Sequence, residues 1–234
     1  MQNFIAELIG TLFLVLFGEG VIANVKLKKT TGNNGGIIAI TAGWAFGITL
    51  PVLIFGKISQ AHLNPAVTLA LAAIGKFSWE SVPSYLIAQF IGAFLGSVIV
   101  FIIYYNHFKA TSDAVAKSAV FCTAPQIEGL GISFITELVG TFLLMFIILA
   151  LGDTALAGGI KAIAIGMLVW AIGLSIGGPT GYAINPARDL GPRVALQLLP
   201  VPGKGKVDWS YAIVPVVAPI VGALAAALLY INLF

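Results

Sequence analysis

Of the 234 residues in this chain, 59% are hydrophobic and only 9% are charged, far below the roughly one-quarter charged share of an ordinary soluble domain. That balance excludes a water-facing globular protein, and the net charge of +3, spread thinly over connecting segments, excludes the basic stripe that nucleic acid requires. Cys122 is the single cysteine, so no disulfide framework is expected and no metal or cofactor is implied.

The apolar residues fall in stretches of about 20, the length that carries a helix across ~30 Å of hydrocarbon. They predict an all-α membrane protein. The first span, Asn3 to Val25, has no basic region before it and no small-residue cleavage site after it, and reads as a retained helix rather than a signal peptide. It carries two acids, Glu7 and Glu19. Glu19 is expected to pair with Lys26 or Lys29 near the surface, or to lie at a subunit contact. Gly32 to Gly36 break the chain before a second span, Ile37 to Phe55.

The next apolar piece, Asn64 to about Gly75, is too short to cross: at 1.5 Å per residue it reaches about half way. It opens with Asn64-Pro65-Ala66, a helix start in which Asn caps and Pro takes the first helical position, where its missing donor costs nothing. A third span follows at Val82 to Tyr105, then a loop over residues 106–131, then spans at Ser133 to Leu151 and Lys161 to Ile176. A second short piece, Asn185 to about Leu198, opens with Asn185-Pro186-Ala187. After a break at Pro200 to Asp208 the last span runs from Tyr211 to Asn232.

The two halves, about residues 1–110 and 131–234 of a single channel domain, resemble each other. Glu7-Leu8-Ile9-Gly10-Thr11 returns as Glu137-Leu138-Val139-Gly140-Thr141, Trp44-Ala45-Phe46-Gly47 as Trp170-Ala171-Ile172-Gly173, and Ile91-Gly92-Ala93 as Val221-Gly222-Ala223. Three crossings per half force the copies into opposite orientations, an inverted repeat. The two half-helices then enter from opposite faces and meet near the midplane. Irregular backbone is tolerated there only when it is buried or lines a watery cavity, which predicts a pore through the chain.

The segments Ala61-His62-Leu63-Asn64-Pro65-Ala66-Val67-Thr68 and Gly181-Tyr182-Ala183-Ile184-Asn185-Pro186-Ala187-Arg188-Asp189-Leu190-Gly191-Pro192-Arg193 carry a family resemblance. One Asn-Pro-Ala is a weak signal, but two in matched places of an inverted repeat, the second followed by Arg, are specific. Over nearly its whole length the chain resembles the major intrinsic proteins, the aquaporin and glycerol facilitator family. Asp189, Arg193 and Pro215 stand where the glycerol-conducting branch differs from water-only channels. Trp44, Gly173, Tyr182 and Arg188 match the places of that branch's selectivity filter. Tyr182 departs from the usual Phe, and its hydroxyl is expected to make the filter narrower or more polar.

Asn64 and Asn185 are expected to turn amide donors into the pore beside the positive ends of two half-helix dipoles. Arg188 sits in a first helical turn, where a cation is disfavoured and hydrocarbon makes one costly. A charge so placed points to a task, and its fixed donor fork suits neighbouring hydroxyls. From the residues alone Trp44 and Tyr182 fit core and pore equally; the resemblance favours the pore. The carbonyls of Gln60, Ala61, His62, Gly181, Tyr182 and Ala183 are expected to form a ladder of acceptors. Glu7 and Glu137 are read as braces for the re-entrant loops, His62 as a further brace, and Asp189 with Arg193 as an ion pair four residues apart.

These readings predict a passive channel, not an enzyme, for glycerol and other small uncharged solutes such as water, dihydroxyacetone, urea, hydrogen peroxide and protonated lactic acid. Ions and protons are excluded. The rival reading is a secondary active transporter, a class that also uses inverted repeats and broken helices. The resemblance implies a homotetramer in a bacterial plasma membrane with both termini cytoplasmic. The lysines oppose that orientation, because Lys26, Lys28, Lys29, Lys109, Lys117, Lys204 and Lys206 then lie outside, against the positive-inside rule.

Overall fold

The computed structural model describes residues 1–234. In chain order its helices are α1 (Gln2–Lys26), α2 (Gly36–Ser59), the short α3 (Pro65–Ala73), α4 (Val82–Ile103), two small helices α5 (Tyr105–Ala110) and α6 (Ala114–Phe121), α7 (Leu130–Gly152), α8 (Gly158–Ile176), the short α9 (Pro186–Leu198) and α10 (Ile213–Leu233). A single 3-10 turn, Trp79–Ser81, precedes α4. The six long helices are apolar enough to cross a membrane, and α3 and α9 are the two half-helices. The architecture is the predicted one. Six crossings return the C-terminus to the face from which Met1 starts.

The stretch over residues 106–131 is more ordered than the expected loop. Asp113 caps α6, its Oδ1 accepting from the backbone N–H groups of Val115 and Ala116 at 2.8 and 3.2 Å. The helix buries Lys117, Val120 and Phe121, and Phe121 stacks on Phe108 of α5 at 5.6 Å between centroids. An Asp followed by a short run of helix formers is an N-cap signal, though eight residues are too few for periodicity to register.

Packing between the long helices depends on glycine at matched places. A methyl group at Gly92 of α4 would collide with the carbonyl oxygen of Leu8 in α1, and one at Gly222 of α10 with that of Leu138 in α7. Each contact sets backbone against backbone, the close approach that small residues permit in membranes. The pairs α1 with α4 and α7 with α10 thereby hold Glu7 and Glu137 at the centre of the molecule, both fully buried.

Glu19 differs from expectation. It is fully buried, and its Oε1 accepts from Ser97 Oγ of α4 at 2.8 Å. It reaches neither lysine nor an outer face, because Glu19 lies on the stripe of α1 that also buries Val15 and Ala23.

Candidate functional site: the conduction pathway

Each half-helix begins with a capped asparagine. Asn64 has extended backbone (φ −156°, ψ 118°) and its Oδ1 accepts from Ala66 N–H at 2.9 Å. Asn185 adopts nearly the same angles and caps both Ala187 and Arg188, at 3.0 and 3.2 Å. The amides also cross the midplane: Asn64 Nδ2 donates to Ile184 O at 2.8 Å, and Asn185 Nδ2 to Leu63 O at 2.7 Å. These reciprocal bonds hold the two tips together. Each amide has two hydrogens, so one on each side is left without a protein acceptor.

The loops feeding the tips are strained. Gln60, Ala61 and Leu63 in one, and Tyr182 and Ile184 in the other, have positive φ between 38° and 65°, a region costing non-glycine residues about 1–3 kcal/mol each. Buried acceptors hold them there. Glu7 accepts from Ser59 Oγ and His62 N–H at 2.7 and 2.9 Å through Oε1, and from Leu63 N–H and Gln89 Nε2, both at 2.8 Å, through Oε2. Glu137 accepts from Thr180 Oγ1 and Ala183 N–H at 2.6 and 3.0 Å, and from Ile184 N–H at 2.8 Å. Ser59 Oγ and Thr180 Oγ1 accept in turn from Ala61 N–H and Tyr182 N–H at 3.1 and 3.3 Å.

A trans peptide points its N–H and its C=O in opposite directions. The N–H groups of Ala61, His62, Leu63, Tyr182, Ala183 and Ile184 face the braces, so the carbonyls of Gln60, Ala61, His62, Gly181, Tyr182 and Ala183 face away from them. All six of these residues line the lumen. His62 adds support: its Nδ1 is 3.1 Å from Thr68 Oγ1, and its ring lies against Phe77 and Tyr85, with centroids 4.7 and 5.1 Å away.

Sequence reasoning missed Ser59, Thr180 and Gln89. The first two carried a signal, since each lies five residues before its Asn and the repeat matches them.

Beyond the tips the lumen narrows where Arg188 lies over Trp44, its guanidinium carbon 4.0 Å from the ring centroid, a cation–π distance. Gly18 makes room for the indole: a methyl there would collide with the Trp44 ring. Gly173 and Gly177 do the same for Tyr182, since a methyl at Gly173 would come within 2.8 Å of the Tyr182 Cζ. The Tyr182 hydroxyl lies beside Gly173 and has no hydrogen-bond partner. The ring lies against Gly173 and Gly177.

Asp189 does not pair with Arg188. Its Oδ1 accepts from Arg193 Nε at 2.8 Å and Nη2 at 2.7 Å, and its Oδ2 from Thr123 N–H and Oγ1 at 2.7 and 2.6 Å. Arg193 also donates to Asp208 O and Thr123 O at 2.6 and 2.8 Å. This pair ties the segment between the halves, and the segment before α10, to α9. Arg188 is left with no protein acceptor for its Nη1. Pro215 occupies the first turn of α10, buried, where its ring breaks no helical hydrogen bond.

Two cavities of about 500 and 520 Å³ flank the constriction, and both are bounded by Trp44, Tyr182 and Arg188. One holds both asparagines and opens beside Lys76 and Asp153; the other opens beside Lys26, Lys206 and Asp208. At the first mouth Lys76 and Asp153 pair at 3.5 Å, and Tyr230 Oη donates to Asp153 at 2.7 Å.

Two cavities that meet at Trp44, Tyr182 and Arg188, bordered by non-helical backbone among six membrane-length helices, fit a channel protein of the membrane. Residues 1–230 match the family model described as Major intrinsic protein, and the chain belongs to that family. It is 50% identical, over the full length of both chains, to a protein of Thermotoga maritima named as a probable glycerol uptake facilitator. It is 48% identical to the glycerol uptake facilitator of Bacillus subtilis, over 98% of this chain and 84% of that one. Among solved structures, the aquaglyceroporin of Plasmodium falciparum superposes with a TM-score of 0.87 at 32% identity, covering 98% of this chain and 94% of its own.

The braces make a graded prediction. Thr180→Ala removes one hydroxyl from Glu137 and is expected to destabilise by about 1 kcal/mol. Glu137→Leu leaves two buried N–H groups without an acceptor and is expected to cost at least about 3 kcal/mol. Thermal melts of the detergent-purified protein check the order, and equal losses would contradict it.

Proposed function

We propose that this chain conducts glycerol and similarly small neutral solutes passively. The observation that carries this reading is the constriction itself. Trp44 and the Tyr182 ring supply an apolar wall, Arg188 supplies donors without a competing acceptor, and Gly173 leaves the wall room. A polyol has carbons on one side and hydroxyls on the other, which matches that division. Deeper in, a passing hydroxyl donates to the six carbonyls and accepts from the free hydrogens of Asn64 and Asn185.

Cations meet Arg188 and then the positive ends of both half-helix dipoles, a field that opposes their entry. The names of the relatives from Thermotoga maritima and Bacillus subtilis agree with a polyol. A coupled transporter needs a carboxylate that can take up an ion near the break. Glu7 and Glu137 are engaged by loop donors on both oxygens, which disfavours that rival.

The assembly we propose is a homotetramer in a bacterial plasma membrane, with both termini cytoplasmic. Two of the lysines that oppose this orientation have structural work. Lys117 Nζ donates to Pro202 O at 2.5 Å, and Lys204 Nζ caps the end of α9 through the carbonyls of Leu196, Gln197 and Leu199. Cys122 is a poor topology label, since burial pushes its thiol up to about 12 and reagents attack the thiolate. A cysteine at Phe234 in a Cys122→Ser background is expected to resist impermeant reagents applied outside intact cells. Labelling from outside would reverse the orientation.

Osmotic shock of proteoliposomes tests the function. Fast reswelling is expected in glycerol, independent of any proton or sodium gradient. Trp44→Ala and Arg188→Ala are each expected to change the ratio of glycerol to water permeability several-fold. Unchanged ratios in both variants would remove the filter assignment, and dependence on a gradient would favour the transporter.

A further inference from the structure

The cavity on the far side of the filter from the asparagines carries more positive charge than a polyol needs. Its lining includes Lys26 and Lys206, and neither is ion-paired. Its floor is Arg188, only 4% exposed, with Nη1 unpartnered. The indole N–H of Trp44, also buried and unpartnered, borders the same floor.

The acids nearby do not balance this charge. Asp189 is filled by Arg193 and Thr123. The one lining carboxylate, Asp208, accepts through Oδ1 from Ser210 N–H, Ser210 Oγ and Tyr211 N–H at 3.0, 2.5 and 3.2 Å. Arg193, the remaining lining cation, is neutralised by Asp189. Lys26, Lys206, Arg188 and Arg193 thus line this cavity against a single lining carboxylate, Asp208, and the lining is net positive. Beside them Ile22, Ile37 and Ile40 supply an apolar wall.

We infer that this mouth binds small monocarboxylate anions, with the carboxylate on Arg188 and the short carbon tail against the isoleucines. The planar guanidinium fork matches a carboxylate in two parallel hydrogen bonds. The apolar wall distinguishes a short carboxylate from a fully hydrated anion, which has no tail to place there. A bound anion occupies the vestibule that a polyol must cross and carries a charge that the narrow, dehydrated constriction does not pass. It therefore acts as a reversible plug for the neutral substrate. The site rests on the same placement of Arg188 at the lumen as the proposed function, but its binding is measurable without transport.

The first test is a melt of the detergent-purified protein at neutral pH, in sodium propionate against sodium chloride at equal ionic strength. A saturable rise in Tm with propionate alone is expected, and its loss in the Lys26→Gln, Lys206→Gln double variant. The second is glycerol reswelling of proteoliposomes with propionate outside. The rate is expected to fall about twofold at half-saturation of the site, and the ratio of rates with and without propionate is expected to return towards one in the double variant. Equal responses to propionate and chloride, or to propionate, phosphate and sulfate, would overturn the carboxylate site, the latter by showing general anion screening. A propionate-dependent melt in a protein that passes no glycerol would keep the site and refute the channel reading instead.

Discussion

Hydrocarbon offers no partner to a backbone N–H or C=O, and each unsatisfied group there costs several kcal/mol. That constraint shapes the centre of this molecule. Two non-helical loops sit at mid-bilayer depth, and every donor on their back edges is taken by Glu7, Glu137, Ser59 or Thr180. Because the peptide is planar, satisfying those donors leaves a row of carbonyls with nowhere to turn but the lumen. The acceptor ladder and the stability of the loops are two results of one arrangement.

The asparagines close the same account from the other side. Each caps its own half-helix and donates across to the opposite loop, so neither half is complete without its counterpart. Backbone angles that non-glycine residues avoid persist because bonds from both halves fix them. The proposed filter inherits this rigidity. Arg188 is held by α9, whose tip is bound to the first half, and α9 is anchored again by the Asp189–Arg193 pair to Thr123 and Asp208. A constriction that must separate a polyol from an ion gains from walls that do not drift.

Much of this was legible in the sequence, for physical reasons that can be named. Length and polarity marked the six spans, since a membrane helix has few other solutions. Asn-Pro-Ala marked the half-helices because capping and the first helical position select those residues locally. The duplicated Glu marked the braces because an acid is rarely tolerated at that depth without a role. Less legible was whatever depends on a third element. Gly173 matches a filter place in the sequence, but only the packing shows that the Tyr182 ring lies against it. Glu19 reads as a surface partner for lysine, but the rotation of α1 turns it towards Ser97. The cross-midplane bonds join residues 120 and 122 apart in sequence, a separation at which no local pattern operates.

The central claim is that two half-helices meet head to head beside a narrow lumen whose donors and acceptors are divided for a neutral polyol. A high-resolution cryo-electron microscopy map of the protein in lipid, with glycerol present, tests it most directly. The account predicts polyol density in single file, carbons towards Trp44 and oxygens towards Arg188 and the carbonyls of the two loops. Separated asparagine tips, or a lumen closed at Arg188 with glycerol bound elsewhere, would contradict it.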